Sequence, residues 1–222
     1  VASTNRSSLE RRLALVLDAR CKVKRLNTQE SKMRYLVISD IHGGARELEK
    51  TLCYFEKFEC DYIVLLGDLL NHGPRNSVPK SYDPMRVGEL LNSYKQNLIS
   101  IRGNCDSEVD SMVLDFPCNA PYGYINLKLK DKYQKLFLTH GHLYDIDSEK
   151  VIKKLALEKG DIVLSGHTHV SGIFKKDSGI ININPGSITI PKGGTKAGFA
   201  VIEEEKIDLY DLEGEVIATY KF

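Results

Sequence analysis

The sequence predicts an α/β fold, in which buried strands alternate with amphipathic helices. Short runs rich in Val, Ile, Leu and Tyr are typical of buried strands in a largely parallel sheet. Five such runs occupy residues 35–39, 62–66, 98–101, 135–138 and 162–164. Each run leads within a few residues to a polar side chain that can bind a metal: Asp40, Asp68, Asn104, His140 and His167. Because open α/β sheets hold their sites at the carboxyl edge, these side chains are predicted to converge.

The first half of the region from residue 33 onward alternates strand and helix. After the first run, a helix is predicted from apolar residues that share one face: Ala45, Leu48, Leu52 and Phe55. The second run is followed by a polar, Pro-containing loop over residues 71–84. A second helix is then predicted from apolar residues at helical spacing: Val87, Leu90, Leu91 and Tyr94. The third run closes this alternating half.

The second half is richer in strands. Residues 124–129 and 135–138 predict a hairpin. A helix that contains Val151, Ile152 and Leu155 is predicted to follow, with Asp147 or Ser148 as its cap. After the run at 162–164, six more short strands are predicted near residues 172–174, 180–183, 187–190, 198–202, 207–210 and 216–222. Two sheets packed face to face, with helices outside, accommodate this many strands in one domain.

Residues 1–32 form a basic extension that we separate from the domain at 33–222. The extension carries eight Lys or Arg against three acids, about +5, whereas the whole chain carries +1, so the remainder is about −4. Residues 8–20 place apolar side chains at helical spacing. We expect either a leader foreign to the natural protein or coding sequence upstream of a start at Met33; a targeting segment is the third alternative.

Composition excludes several classes of function. The net charge of +1 gives no overall attraction to nucleic acid, and no apolar stretch approaches the ~18 residues of a membrane span. The cysteines are odd in number and contain no CxxC pair: Cys21, Cys53, Cys60, Cys105 and Cys118. This usage favours a reducing cytoplasm. We therefore expect a cytoplasmic protein that binds neither a membrane nor a long nucleic acid.

The candidate ligands are carboxylates, imidazoles and one amide. Asp40 and His42 point to the same side if the strand end is extended, and Asp68 can bridge two cations. Two HxH elements, residues 140–142 and 167–169, contribute imidazoles, and Asn104 offers an amide oxygen. Mixed nitrogen and oxygen ligands favour Mn, Fe, Zn, Ni or Co over Ca or Mg. A strand-end turn with solvated polar residues explains any single motif, but it does not explain all of them together.

These motifs in this order resemble the calcineurin-like metallophosphoesterase superfamily, and residues 67–76, 102–110 and 184–194 resemble its YfcE-like phosphodiesterase subgroup. The resemblance implies a four-layer α/β/β/α sandwich and two divalent ions. It implies that the first ion is held by Asp40, His42, Asp68 and His169. It implies that the second ion is held by Asp68, Asn104, His140 and His167. Asp68 would bridge the two.

The chain departs from most of the superfamily at Cys105, where a His commonly contacts the phosphate and protonates the leaving group. Cys105 resembles the subgroup, so we expect an active enzyme with altered leaving-group assistance. Asn104, Cys105 and His142 are the predicted catalytic residues, His142 either supporting a ligand or sharing the role of Cys105. The predicted substrate contacts lie in the loop after Asp68: His72, Arg75 and Asn76.

The predicted function is metal-dependent hydrolysis of a small phosphodiester, with two ions, preferably Mn, supplying hydroxide that attacks phosphorus in line. Zn, Fe and Ni are the alternative metals. A non-catalytic scaffold resembling the retromer subunit of the same fold is one alternative function. A phosphomonoesterase or a nuclease on the same site is the other, and the acidic remainder of the chain disfavours the nuclease. The substrate and a homo-oligomeric state stay open.

Overall fold

The computed structural model describes residues 33–222. The helix predicted over residues 8–20 lies outside the described residues. The strands of the first sheet are β1 (Tyr35–Ile38), β2 (Tyr62–Leu65), β3 (Leu98–Ser100), β9 (Gly198–Ile202), β10 (Lys206–Asp211) and β11 (Val216–Lys221). The strands of the second sheet are β4 (Tyr122–Lys128), β5 (Tyr133–Thr139), β6 (Ile162–Leu164), β7 (Gly172–Lys175) and β8 (Ile181–Asn184). The α-helices of the described region are α1 (Ala45–Lys57), α2 (Pro84–Ser93) and α3 (Glu149–Lys154).

Both sheets are mixed, with a parallel centre that carries the predicted site. The first sheet has the order β11-β10-β9-β1-β2-β3, in which β1, β2 and β3 are parallel. The second has the order β4-β5-β6-β8-β7, in which β5, β6 and β8 are parallel. Antiparallel strands complete the outer parts of each sheet. The carboxyl ends of β1, β2, β3, β5 and β6 therefore lead into the segments that hold the candidate ligands.

Three apolar clusters define four layers. In β1, Leu36 and Ile38 face a cluster formed with α1 and α2, whereas Val37 faces a second cluster between the two sheets. A third cluster, which includes Phe137 of β5 and Leu155 at the end of α3, covers the outer face of the second sheet. Strands buried on both faces read as continuous apolar runs because neither side meets water. The predicted four-layer sandwich is confirmed.

One predicted strand is wrong. Residues 187–190 form a loop, because the Ser187 hydroxyl takes over hydrogen bonds that a neighbouring strand would make. It donates to the Asp40 carbonyl at 2.6 Å and accepts from the amides of Thr189 and Ile190 at 3.1 and 2.9 Å. The loop is thereby attached to the backbone of a candidate ligand instead of extending the sheet.

Candidate functional site

The structure brings the predicted ligands together at one edge of the sandwich. The Nε2 atom of His169 lies 3.2 Å from Asp40 Oδ1, although the two residues are far apart in sequence. The Nε2 atom of His140 lies 3.4 Å from Asp68 Oδ2. Strands β1, β2, β5 and β6 position these residues, since each side chain follows the carboxyl end of its strand within a few residues.

The extended geometry that we expected for the ligand segments is wrong. Five candidate ligands adopt left-handed backbone angles, with φ between 48° and 67°: Asp40, His42, Asp68, His167 and His169. This conformation costs a residue other than glycine about 1–3 kcal/mol. These left-handed residues turn the chain sharply, so His167 and His169 point to different neighbours. His169 lies against His42, and the ring of His167 lies 5.2 Å from that of His140.

The first ligand group surrounds Asp40. His42 Nε2 lies 3.2 Å from His169 Nε2, 3.6 Å from Asp40 Oδ1 and 3.6 Å from Asp68 Oδ2. Two ligands about 2.0–2.2 Å from one ion lie about 3.0–3.5 Å apart. Asp40, His42 and His169 also form one of the clusters of the described region that could hold a metal ion. Their spacing therefore fits a shared ion.

The second ligand group surrounds His140. Its Nε2 atom lies 3.1 Å from Asn104 Oδ1 and 3.4 Å from Asp68 Oδ2. The same Asp68 oxygen lies 3.6 Å from His42 Nε2, so it stands between the two groups. Asp40, Asp68 and His140 form a second metal-competent cluster of the described region. A third cluster of the described region joins His42, Asp68 and Cys105. The His167 ring lies near the His140 ring, but His167 belongs to none of these three clusters.

Three of the imidazoles are oriented by the backbone. The Nδ1 atoms of His42, His140 and His169 lie 2.7, 2.7 and 2.8 Å from the carbonyl oxygens of Asn71, Leu66 and Ile190, respectively. A carbonyl only accepts, so Nδ1 donates a proton to it and Nε2 of each ring faces the site. This arrangement is the usual support of metal-binding histidine, and it directs three Nε2 atoms that can bind a metal toward one cavity.

A buried oxygen without a partner supplies a further test of whether a metal fits. Asp40 Oδ1 is fully buried and has no hydrogen-bond partner among the described residues. The other oxygen, Oδ2, accepts from Ser39 Oγ at 2.6 Å and from the His167 amide at 3.0 Å. An unpaired buried carboxylate oxygen is costly unless a cation compensates it. The donor set therefore fits a divalent ion beside Asp40.

The site concentrates charge among buried side chains. Burial opposes ionisation of Asp40, but the nearby imidazoles of His169, His42 and His140 outweigh it and hold the pKa of that carboxyl below its ordinary value. Burial lowers the pKa of His140, yet its contact with Asp68 and the charge of Asp40 prevail and raise it to about 9. Burial and the charge of His140 lower the pKa of His167, which keeps that imidazole neutral. Cations are therefore favoured beside both carboxylates.

Asp106 is a site residue that our sequence reasoning missed. Its Oδ2 atom accepts from the amides of Asp68 and Gly103 at 2.8 and 2.7 Å, and its Oδ1 atom accepts from the Leu69 amide at 2.7 Å. These bonds join the turn after β2 to the turn after β3. A Cβ on Gly103 would lie 2.1 Å from Asp68 Oδ1, so glycine is required there. The acid directly after Asn104-Cys105 was the only sequence signal.

The buried ligands form the inner wall of the site, and a pocket of about 360 Å³ lies beside them. The ligands Asp68, Asn104, His167 and His169 line this pocket on its inner side, and the rest of its lining is the outer wall. Arg75, Asn76 and Cys105 line it as well, together with Lys192, which the sequence analysis did not select. His72 does not belong to this lining; its ring packs edge-on against Tyr82 at a centroid distance of 5.3 Å.

Cys105 and His142 occupy different sides of the ligand groups. The Cys105 amide donates to Asp68 Oδ1 at 2.8 Å, and burial together with the Asp68 charge raises the pKa of the Cys105 thiol to about 12. The thiol is therefore neutral at physiological pH. The His142 ring lies 5.3 Å from the His140 ring, and burial and the His140 charge lower its pKa. His142 lines two neighbouring pockets rather than the one that holds Arg75.

Comparisons with known proteins agree with this geometry. A family model of the calcineurin-like phosphoesterase superfamily domain matches residues 33–206. The chain is 40% identical over 185 residues to the phosphodiesterase YfcE of Escherichia coli strain K12, an alignment that covers 83% of this chain and 95% of that protein. A solved structure of YfcE, described as a phosphoesterase from E. coli, matches with a TM-score of 0.76 at 39% identity, covering 85% of this chain and 99% of that one.

A more distant structure shares the fold alone. Vps29 of Chaetomium thermophilum matches with a TM-score of 0.52 at 17% identity and covers 86% of this chain and 97% of that chain.

Proposed function

Because the chain belongs to the calcineurin-like phosphoesterase superfamily, we propose that it is a metal-dependent phosphodiesterase that acts on a small phosphodiester. The similarity to phosphodiesterase YfcE along nearly its whole length supports this activity. The observation that carries the proposal is the position of Asp68 Oδ2 between two histidine groups, 3.6 Å from His42 Nε2 and 3.4 Å from His140 Nε2.

Two divalent ions are the cofactors in this proposal. The first would be held by Asp40, His42, Asp68 and His169. The second would be held by Asp68, Asn104, His140 and His167. When bound, such ions activate water and neutralise phosphate charge. Manganese is the preferred metal because the ligands mix imidazole and carboxylate, with Zn, Fe and Ni as alternatives.

The chain itself contributes orientation and exclusion of water. Asp40 and His42 are fully buried, so the donors work in a low-dielectric setting, where their charges act strongly. Asp106 fixes the Asp68 turn, and the carbonyls of Asn71, Leu66 and Ile190 fix the three imidazoles. A diester enters through the pocket of Arg75 and Asn76, on whose lining the Asn104 side chain also lies. Because the Cys105 thiol is neutral, it places no charge beside the phosphate.

Two further aspects belong to the same proposal. No helix in residues 33–222 is long and apolar enough to cross a bilayer. The four described cysteines carry free thiols, which supports work in the reducing cytoplasm: Cys53, Cys60, Cys105 and Cys118. A homo-oligomeric state is compatible with this function and is measured by light scattering.

The direct test is hydrolysis of bis-p-nitrophenyl phosphate by the metal-free protein after addition of Mn, Zn, Fe or Ni. We expect turnover that depends on metal and is highest with Mn. Anomalous scattering from crystals soaked in each metal gives the number of ions and their element. Absence of turnover with every metal would favour the non-catalytic scaffold. Turnover of p-nitrophenyl phosphate alone would favour a phosphomonoesterase.

A further inference from the structure

Two cationic side chains share the outer wall of the substrate pocket. Arg75 and Lys192 both line it, and Asp68 is the only acid in that lining. Asp68 is taken up by the metal groups, so the part of the wall that faces solvent carries positive charge alone. A phosphodiester has one negative charge at the scissile phosphate, and the proposed ions already face that group.

Neither cation has an acidic partner among residues 33–222. Within residues 33–222, Arg75 makes no hydrogen bond or ion pair, and the single hydrogen bond of the Lys192 ammonium goes to the neutral Asn76 Oδ1 at 2.9 Å. Some other exposed cations of the described region have acidic partners. Lys196, on the same loop as Lys192, lies 2.6 Å from Asp211 Oδ2, and Arg86 lies 3.0 Å from Glu49 Oε1. Among the described residues, the two positive charges of the pocket thus have no acidic partner.

The loops that carry these cations are attached to metal ligands. The Lys192 amide donates to the His169 carbonyl at 3.0 Å. On the other loop, Asn71 accepts from His42 Nδ1 through its carbonyl, and its side chain accepts from the Gly73 amide at 2.8 Å. The Asn76 amide group donates to the His72 carbonyl at 2.9 Å, which turns its oxygen toward Lys192. The two loops are therefore attached to the ligand groups through their backbones, and the Lys192 ammonium is held by Asn76.

We infer that Arg75 and Lys192 bind a second anionic group of the substrate, a carboxylate or a phosphate on the arm of the diester that points away from the ions. This inference rests on the proposed phosphodiesterase function and narrows it to diesters with an anionic arm. Arg75 and Lys192 therefore determine specificity, because they bind the anionic arm of the substrate, whereas the metal groups act on the scissile bond.

The experiment uses p-nitrophenyl diesters whose second alcohol carries a carboxylate, a phosphate, a neutral hydroxyl or a trimethylammonium group. All release p-nitrophenol, so kcat/KM is compared directly. For the Mn-loaded wild type at low salt, we expect the anionic diesters to exceed the neutral one about tenfold and the cationic one by more. The larger of the two anionic values identifies carboxylate or phosphate. Raising the salt to about 0.5 M should reduce the preference because exposed charges are screened.

The variants Arg75→Gln and Lys192→Gln should each bring the anionic-to-neutral ratio of kcat/KM close to one. The matched control is Lys196→Gln, which removes the same charge from the same loop outside the pocket lining and should keep the wild-type ratio. A wild type without preference among the arms overturns the inference, as does a Lys196→Gln variant whose ratio falls as far as that of Lys192→Gln. Turnover of the neutral diester tests the phosphodiesterase function separately, since its absence contradicts that function and not only the choice of arm.

Discussion

The inner and outer walls of the site are built in different ways. On the inner wall, Asp40, His42 and His140 are fully buried, and backbone groups fix their side chains. On the outer wall, Arg75 and Lys192 are exposed, and only the bases of their loops are attached to the ligands. The difference teaches that the metal-binding side chains are held in fixed positions. The choice of substrate depends instead on exposed side chains, which can be replaced at little cost to the stability of the fold.

The largest expected effect follows from removing the residue that both ligand groups share. In Asp68→Ala, the Mn-loaded enzyme should lose hydrolysis of bis-p-nitrophenyl phosphate by about a thousandfold or more, because several kcal/mol of charge stabilisation disappear. Metal content measured by elemental analysis should fall as well. The Asp68→Asn variant keeps an acceptor for the Cys105 amide and serves as the folding control. Wild-type turnover in either variant contradicts the shared-ligand arrangement.

The next effect probes the support of the inner wall. In Asp106→Asn, a donor group replaces one oxygen that accepts backbone amides, so a buried amide loses its partner. We expect a loss of about 2–3 kcal/mol in the free energy of unfolding, measured with urea, and a drop of about 10–100-fold in activity. The exposed carboxylate of Asp115 provides the matched control, since Asp115→Asn should change both quantities little. Equal effects of the two variants would contradict the role given to Asp106.

The pH dependence of metal binding tests the inner wall through His140. His140 is protonated in the metal-free protein until the pH passes about 9, so a metal must displace its proton. Because this pKa is raised above the ordinary 6.5, the associated stability of the metal-free protein is full below about pH 6.5 and is lost as the pH rises through 9. Metal affinity should rise over that window.

Calorimetric titration of Mn at pH 7, in buffers that differ in ionisation enthalpy, should detect proton release, and the release should diminish near pH 9.5. Binding at pH 7 without proton release would show that His140 is neutral and would contradict the prediction.

The smallest effect is expected at Cys105. Its thiol has a pKa of about 12, so it is no nucleophile at neutral pH, and Cys105→Ser should retain activity within about threefold. Steady-state kinetics with the neutral diester measure this change. A loss above a hundredfold would indicate that the thiol takes part in covalent chemistry. A residue of the outer wall would then be essential for hydrolysis.

Much of the fold could be predicted from the sequence, because burial on both faces of a strand leaves a visible apolar run. Strands β1, β2 and β6 were predicted on that basis, and the helices that follow β1 and β2 were predicted from apolar residues at helical spacing. The superfamily resemblance is confirmed by the family model. Residues 187–190 were mistaken for a strand because Ser187 replaces sheet hydrogen bonds with bonds of its side chain, which apolar periodicity does not reveal. The domain boundary at residue 33 stays a prediction.

The chain order of Asp40, Asp68, Asn104 and the two HxH elements determined the candidate ligand set, since parallel strands deliver their carboxyl ends to one edge. Only the tertiary structure decided how those side chains point, because left-handed turns at Asp40 and His169 reverse the direction that an extended segment gives. It also decided that Lys192 and Arg75 line the same pocket. Contacts between loops far apart in the chain depend on how the two sheets pack together, and this packing cannot be read from the local sequence.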